Sequence, residues 1–157
     1  MGRLKKKFKL TERKRKKMVK AVYDTNVVVS GHLKKESWPA ILLSLALQKK
    51  VKLFVSKEIL REYKGVLLRK KFSLPSEKVR KSIDLIKQNS KIVKPKIFLD
   101  VSQDKGDNKF LECALEAKVD FLVTGNKKHF PKEQFQGIKI VNPLEFVNYL
   151  LEDLINN

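Results

Sequence analysis

The sequence is poor in the residues that form disulfides and histidine-rich metal centres. Its single cysteine, Cys113, excludes an internal disulfide and a cysteine-based zinc site. Its two histidines, His32 and His129, are too few for a histidine-rich metal centre. We therefore expect a protein of the reducing cytoplasm, in which any metal site would depend on oxygen ligands.

Long apolar segments are missing as well. The longest apolar run, WPAILLSLALQ at residues 38–48, is too short to cross a bilayer. The basic N-terminal segment has no apolar stretch behind it, so it does not have the pattern of a secretory signal. We expect no membrane partner.

Acidic residues are scarce relative to basic ones. The 157 residues include 17 Asp and Glu against 36 Lys and Arg, a formal net charge of +19, which indicates a polyanionic partner. Residues 1–17 carry ten basic side chains and one acidic one. We expect them to form a disordered arm, because like charges repel and little apolar surface is available for burial. Residues 18–157 are still strongly basic and have the length of a single domain.

What the sequence does have is a regular alternation of short apolar runs with amphipathic segments. The runs are typical of strands, and the segments show the 3.6-residue spacing of helices. The alternation predicts an α/β fold with three layers, α/β/α, around a mostly parallel central sheet. Strands are predicted at 20–24, 51–56, 91–94, 120–124 and 138–142, and helices at 37–50, 56–72, 74–89, 104–118 and 142–155.

One carboxylate stands inside an otherwise apolar run. Residues 21–31, AVYDTNVVVSG, read as a buried strand that contains Asp24, and a buried charge is costly unless something pairs with it. Ligands of such folds bind beyond the carboxyl ends of the strands. A second strand end, VTGN, carries Thr124 and Asn126. We therefore expect a polar site at this edge of the sheet.

Two predicted helices add acidic side chains. Glu62 borders the apolar face of its helix, and Asp107 lies on the core side of the first turn of another helix, three residues after Asp104. Each acid alone has an ordinary explanation: a capping pair for Asp104 and Asp107, a solvated charge for Glu62, a turn for Asp24. Converging carboxylates, however, need a cation or a proton. Oxygen ligands favour Mg²⁺ or Mn²⁺. We therefore expect Asp24, Glu62 and Asp107 to bind one such ion between them.

Four segments together resemble a known family. In order and spacing, the PIN domain pattern is matched by YDTNVVVSG, VSKEILREYKGVL, DKGDNKFLECALEAKVDFLVTGNKKHF and IVNPLEFVNYL. The resemblance covers about residues 18–150 and is closest to PIN proteins described as toxin components of toxin–antitoxin systems. It implies a PIN-like fold, similar to the flap endonuclease core, and a Mg²⁺- or Mn²⁺-dependent ribonuclease. The implied catalytic acids are Asp24, Glu62 and Asp107, with Asp104 as an additional acid.

The fourth position of the pattern departs from the family. PIN domains often have Thr-Gly-Asp here, whereas this chain has Asn126, which keeps a carbonyl oxygen but removes one negative charge. A second metal ion is therefore less well supported than the first. Thr124 matches the threonine of the motif and is expected to bind a metal-bound water or to orient an acid. Asn26 and Ser30 are expected to orient Asp24.

The expected partners are RNA, an antitoxin protein and a second copy of the chain. Arg61, Lys127 and Lys128 are predicted to contact RNA phosphates at the rim of the site, although each is equally explained as a solvated charge. A homodimer would use exposed apolar faces of the helices within residues 56–90.

Two other functions are compatible with parts of the pattern. An RNA-binding PIN-like module with weak or no cleavage is the alternative that Asn126 and the basic arm favour. A haloacid dehalogenase-type phosphatase would need a second aspartate at the position of Asn26 and paired acids late in the chain, so the sequence disfavours it.

Overall fold

The computed structural model describes residues 18–100, 105–130 and 133–156, whose strands form one six-stranded sheet. The strands are β1 Lys20–Tyr23, β2 Lys52–Val55, β3 Lys91–Ile92, β4 Phe121–Val123, β5 Gln134–Phe135 and β6 Ile138–Val141. The helices are α1 Thr25–Leu33, α2 Trp38–Leu47, α3 Lys57–Leu67, α4 Ser76–Asn89, α5 Asn108–Ala117 and α6 Pro143–Ile155. Short 3₁₀ turns span Lys70–Phe72, Lys105–Asp107 and Lys127–His129.

The sheet has the order β3-β2-β1-β4-β6-β5, and only the pairing of β5 with β6 is antiparallel in the described part of the chain. This confirms the predicted α/β class and the mostly parallel sheet. In the centre, Tyr23 of β1 is in register with Val123 of β4. The next residues along the two strands, Asp24 and Thr124, therefore lie side by side where both strands end.

The prediction of one strand over residues 21–31 is wrong. Strand β1 ends at Tyr23, and α1 begins at Thr25 with Asp24 as its N-cap, whose side chain accepts a hydrogen bond from the Thr25 N–H. Val27 and Val28 are buried on α1, which contacts both α2 and α3. A helix enclosed in this way accepts consecutive β-branched residues because packing outweighs their preference for strands.

The other boundaries differ less from the predictions. Helix α3 stops at Leu67, five residues early, and Lys70–Phe72 forms a separate 3₁₀ turn. Helix α5 begins only at Asn108, after a 3₁₀ turn. The two residues of β5 were not predicted because so short a strand has no periodicity. The predicted start of α6 is confirmed by a complete capping box, in which Asn142 and Glu145 cap each other's backbone.

Two buried tyrosines connect α3 to the end of β1. The Tyr63 hydroxyl donates to the Tyr23 carbonyl oxygen at 2.5 Å, and the Tyr23 hydroxyl donates to the Leu42 carbonyl oxygen at 3.0 Å. Burial raises the pKa of both phenols, so they remain protonated donors. Since Tyr63 follows Glu62 and Tyr23 precedes Asp24, these bonds fix the position of α3 relative to the strand end.

Helices α1 and α2 approach each other closely at Gly31. A Cβ atom on Gly31 would lie 3.0 Å from the Pro39 carbonyl oxygen and 3.3 Å from Leu43 side-chain atoms. A side chain at this position would push α2 away from α1.

None of the described helices is long and apolar enough to span a membrane.

We predict that Gly31→Ala destabilises the fold by about 1–3 kcal/mol, because the added methyl group overpacks the contact between α1 and α2. Gly65→Ala is the matched control, since nothing lies within 4 Å of a Cβ there, and it should stabilise α3 by about 0.5–1 kcal/mol. Urea unfolding of both variants measures the difference. A stabilising effect of both substitutions would show that the helices do not need this close approach.

Candidate active site

The Asp24 carboxylate is buried between β1, β4 and α1, with 5% of the residue exposed. Its Oδ2 accepts a hydrogen bond from the Thr124 hydroxyl at 2.7 Å and one from the Asn26 amide at 3.2 Å. Its Oδ1 accepts the Thr25 backbone N–H at 2.7 Å. Burial raises the pKa of the Asp24 carboxyl above its usual range, although the bonds from Thr124 and Thr25 lower it, and the neighbouring Glu62 raises it further. The site thus holds an anion that lacks sufficient positive compensation.

Glu62 faces the same region from α3, and both of its oxygens have partners. The Lys109 ammonium lies 2.5 Å from Oε1, and the Thr25 hydroxyl donates to Oε2. Lys109 belongs to the first turn of α5. The glutamate is therefore held by groups from two other helices.

Asp107 lies at the junction of the 3₁₀ turn and α5, where it is the N-cap residue of the helix. The His129 ring nitrogen Nδ1 is 3.1 Å from Asp107 Oδ2. His129 comes from the turn that follows β4, so this contact joins the start of α5 to the end of the fourth strand.

The three acids line one cleft of about 500 Å³, which we call the acidic cleft. It lies at the carboxyl ends of β1 and β4 and is lined along one side by residues of α1. The cleft is lined by Asp24, Thr25, Asn26, Val29, Ser30, Leu33, Glu62, Val66, Arg69, Phe72, Asp107, Asn126 and His129.

The donor chemistry of the acidic cleft fits a divalent cation. Three carboxylates and the Asn126 amide are the oxygen ligands that Mg²⁺ and Mn²⁺ prefer. Among residues 18–100, 105–130 and 133–156, however, no three His, Cys, Asp or Glu side chains are arranged so that together they could hold an ion. Glu62 is turned to Lys109, and Asp107 is close to His129. Binding would therefore require these side chains to reorient.

The polar residues predicted around the acids occupy different positions. The Thr124 hydroxyl and the Asn26 side-chain amide donate to Asp24, and Asn26 Oδ1 accepts the Gly125 N–H at 2.9 Å. Ser30 lines the acidic cleft. Asn126 lines it too, and its side chain makes no capping bond to the turn that follows.

The basic residues predicted to bind RNA are spread over two surfaces. Arg61 does not line the acidic cleft; it lies with Lys57, Lys64, Lys87 and Lys94 in a groove between α3, α4 and β3. Near the cleft, Lys127 forms an ion pair with Glu145 at 3.1 Å, and Lys128 is exposed. The predicted acid Asp104 and the basic arm, residues 1–17, lie outside the described residues.

Four features of the site were not predicted from the sequence. Thr25 and Lys109 bind Glu62, Arg69 lines the acidic cleft, and His129 contacts Asp107. The signal for Thr25 was its position directly after Asp24. For Lys109, the only signal was a lysine two residues after a candidate metal ligand, which is too common to be informative.

Comparisons with known proteins agree with this architecture. The sequence pattern of the PIN domain family matches residues 20–128. The chain is 27% identical over 147 residues to the uncharacterized protein MJ1680 of Methanocaldococcus jannaschii, a match that covers 87% of this chain and 94% of that protein. Its fold is similar to that of a chain in the crystal structure of VapBC2 from Rickettsia felis bound to a DNA fragment from their promoter. That match has a TM-score of 0.54 and 18% identity, and covers 79% of this chain and 98% of the other.

The pKa of Asp24 generates a prediction about stability without metal. A carboxyl whose pKa is higher in the folded than in the unfolded state destabilises the fold once pH exceeds its ordinary value of 3.8. We therefore expect Asp24→Asn to raise the free energy of unfolding at neutral pH, because Asn removes the buried charge and is an equally good N-cap. Below pH 3.8 the gain should vanish, since the wild-type carboxyl is then protonated in both states.

Urea unfolding in the presence of a metal chelator, at pH 7 and at about pH 3.5, measures the difference in the free energy of unfolding between the wild type and Asp24→Asn. Asp84→Asn, on the exposed face of α4, is the control for removing a carboxylate elsewhere. An Asp24→Asn variant that is less stable than the wild type at pH 7 would show that the hydrogen bonds to the anion outweigh its burial.

Proposed function

Because the chain belongs to the PIN domain family, we propose that it is a divalent-metal-dependent endoribonuclease that hydrolyses phosphodiester bonds in single-stranded or structured RNA in the cytoplasm. PIN domains are generally nucleases and typically use divalent metal ions. The observation that carries the proposal is that Asp24, Glu62 and Asp107, from three separate elements, line one cleft. The net charge of +19 suits a polyanionic substrate.

In the proposed reaction, Asp24, Glu62 and Asp107 would hold Mg²⁺ or Mn²⁺, with Asp104 as an additional acid. When bound, the ion would lower the pKa of a water molecule and neutralise charge on the attacked phosphate. Thr124 and Asn26 keep the Asp24 carboxylate in one orientation through bonds of 2.7 and 3.2 Å, which lowers the cost of bringing the ligands together.

The substrate would be held by cations at the edge of the acidic cleft. Arg69 lines the cleft, and its planar guanidinium suits a phosphate group. Lys127 and Lys128 follow directly after Asn126. Arg61 would contact RNA that extends beyond the cleft along the basic groove described above.

We further propose that the protein acts as the toxin of a toxin–antitoxin pair. The likeness to a chain of the VapBC2 complex supports an antitoxin partner. A homodimer is also proposed, and helix α6 supplies more apolar surface for it than residues 56–90. On α6, the exposed large apolar side chains include Leu151, Leu154 and Ile155. Within residues 56–90 they are Leu68 and Leu85.

Two observations favour the alternative of an RNA-binding module with weak or no cleavage. Both oxygens of Glu62 are bonded to groups of the chain itself, and Asn126 replaces the usual fourth acid. Such a protein would bind single-stranded RNA but leave it intact at saturating Mn²⁺.

We predict that wild-type protein cleaves single-stranded RNA when Mn²⁺ is added and that Asp24→Asn and Asp107→Asn each reduce the initial rate at least about a hundredfold. Even the outer partners of metal ligands cost 10- to 100-fold when mutated, so a ligand should cost no less. Glu36→Gln, at an exposed residue that lines neither the acidic cleft nor the groove around Arg61, should cleave at the wild-type rate. Calorimetric titration should show Mn²⁺ binding that both site variants weaken.

Equal cleavage by wild type and both site variants would contradict the proposed active site, because the activity would then come from other residues or from a contaminant. Retained RNA binding without any cleavage in the wild type would favour the alternative.

Asn126 gives a separate prediction about metal preference. Asn126→Asp restores a negative charge, and a second dication at about 3.5–4 Å from the first needs that charge. We expect the substitution to increase the cleavage rate at low Mg²⁺ several-fold and to shift the Mg²⁺ dependence to lower concentration. Superimposable rate curves for the two proteins would show that the charge at residue 126 does not limit metal binding.

A further inference from the structure

The Lys109 ammonium occupies the position of a cation beside the acids of the proposed site. It lies 2.5 Å from Glu62 Oε1, with 20% of the lysine side chain and 29% of the glutamate side chain exposed. The other oxygen of Glu62 accepts a bond from the Thr25 hydroxyl. Glu62 is therefore neutralised and oriented by the chain without any metal.

A divalent ion bound by Glu62 would lie close to this ammonium. In a partly buried site, like charges a few ångströms apart repel strongly because little water separates them. Either the ion binds weakly while Lys109 stays in place, or the ammonium moves away when the ion binds. In both cases Lys109 lowers the affinity of the site for the metal ion.

The Lys109 side chain has a second possible position, beside carboxylates outside the acidic cleft. The lysine also lines a neighbouring cavity of about 290 Å³, together with Glu58 and Glu112. Glu58 is one helical turn before Glu62 on α3, and Glu112 is three residues after Lys109 on α5. Residues at these spacings share a helix face. Because Glu112 Oε2 already accepts the Leu99 N–H at 2.8 Å, the second position for the ammonium is beside Glu58 and Glu112 Oε1 in this cavity.

We propose that Lys109 is a built-in counter-cation that competes with the divalent metal for Glu62 and turns towards Glu58 and Glu112 when the metal binds. This inference rests on the proposed function, because it assumes that Glu62 is a metal ligand. Lys109 is a positioning residue in this account: it stabilises the metal-free site and sets the metal concentration at which the site fills.

The test is calorimetric titration of the full chain with Mn²⁺. Lys109→Met keeps the length of the side chain but removes its charge, and we expect it to bind Mn²⁺ about tenfold more tightly, which corresponds to about 1.4 kcal/mol. Lys109→Arg keeps the charge and should bind much like the wild type. Lys81→Met is the matched control, since it removes an exposed ion pair with Glu77 on α4.

A second readout needs no metal. In chelator, Lys109→Met should lower the thermal midpoint, because Glu62 loses its counter-cation beside Asp24. In Glu62→Gln protein, Lys109→Met should have little effect, because the charge that it balances has already been removed. Additive effects of the two substitutions would overturn the inference, since the pair would then not be coupled.

The outcomes of the titration separate this inference from the function on which it rests. If the wild type binds Mn²⁺ and Lys109→Met binds it equally or more weakly, Lys109 does not compete and the inference fails alone. Absence of binding by wild type, Lys109→Met and Lys109→Arg would overturn both the metal-dependent function and the inference. Tighter binding by Lys109→Met, with Lys81→Met unchanged, supports the inference.

Discussion

The site depends on the burial of a single carboxylate, that of Asp24, at the point where β1 turns into α1. Burying this charge is unfavourable, and the fold compensates for it only in part. The Thr124 hydroxyl comes from the end of β4, and the Thr25 N–H and the Asn26 amide come from the first turn of α1. The parallel register of β1 with β4 is what brings these groups together.

The same charge explains how the other two acids are arranged. Negative groups that converge on one cleft repel one another, and in this chain each of the two helix-borne acids is close to a basic side chain. Lys109 contacts Glu62, and His129 contacts Asp107. In the metal-free site Glu62 and Asp107 are thus each held by a contact within the chain, and a metal-bound site would have to exchange these contacts for contacts to the ion.

Hydrogen bonds in the core hold this arrangement in place. Tyr63, the residue after Glu62, donates to the backbone of Tyr23, the residue before Asp24. Two candidate ligands that are far apart in sequence are thereby fixed relative to each other by a bond between their neighbours. Since these bonds hold the backbone beside Glu62 and Asp24, we expect a metal to act mainly through rotation of the two acidic side chains.

Much of the fold could be predicted from the sequence, because strand and helix periodicities are local. The alternation that gave the parallel sheet and the capping pattern of Asn142 and Glu145 that gave the start of α6 are examples. Helix α1 was missed because Val27–Val29 have high strand propensity, and because the N-cap role of Asp24 was not recognised. The pairing of Lys109 with Glu62 could not be predicted, since the two residues are 47 positions apart and only the packing of α3 against α5 brings them together.

Anomalous X-ray diffraction from crystals soaked in Mn²⁺ at neutral pH tests the central claim most directly, because it locates the ion and its ligands without reference to activity. The account predicts a manganese peak in the acidic cleft, coordinated by oxygens of Asp24, Glu62 and Asp107, with the Lys109 ammonium no longer bonded to Glu62. A cleft without a manganese peak at saturating Mn²⁺, with Lys109 still paired to Glu62, would contradict it.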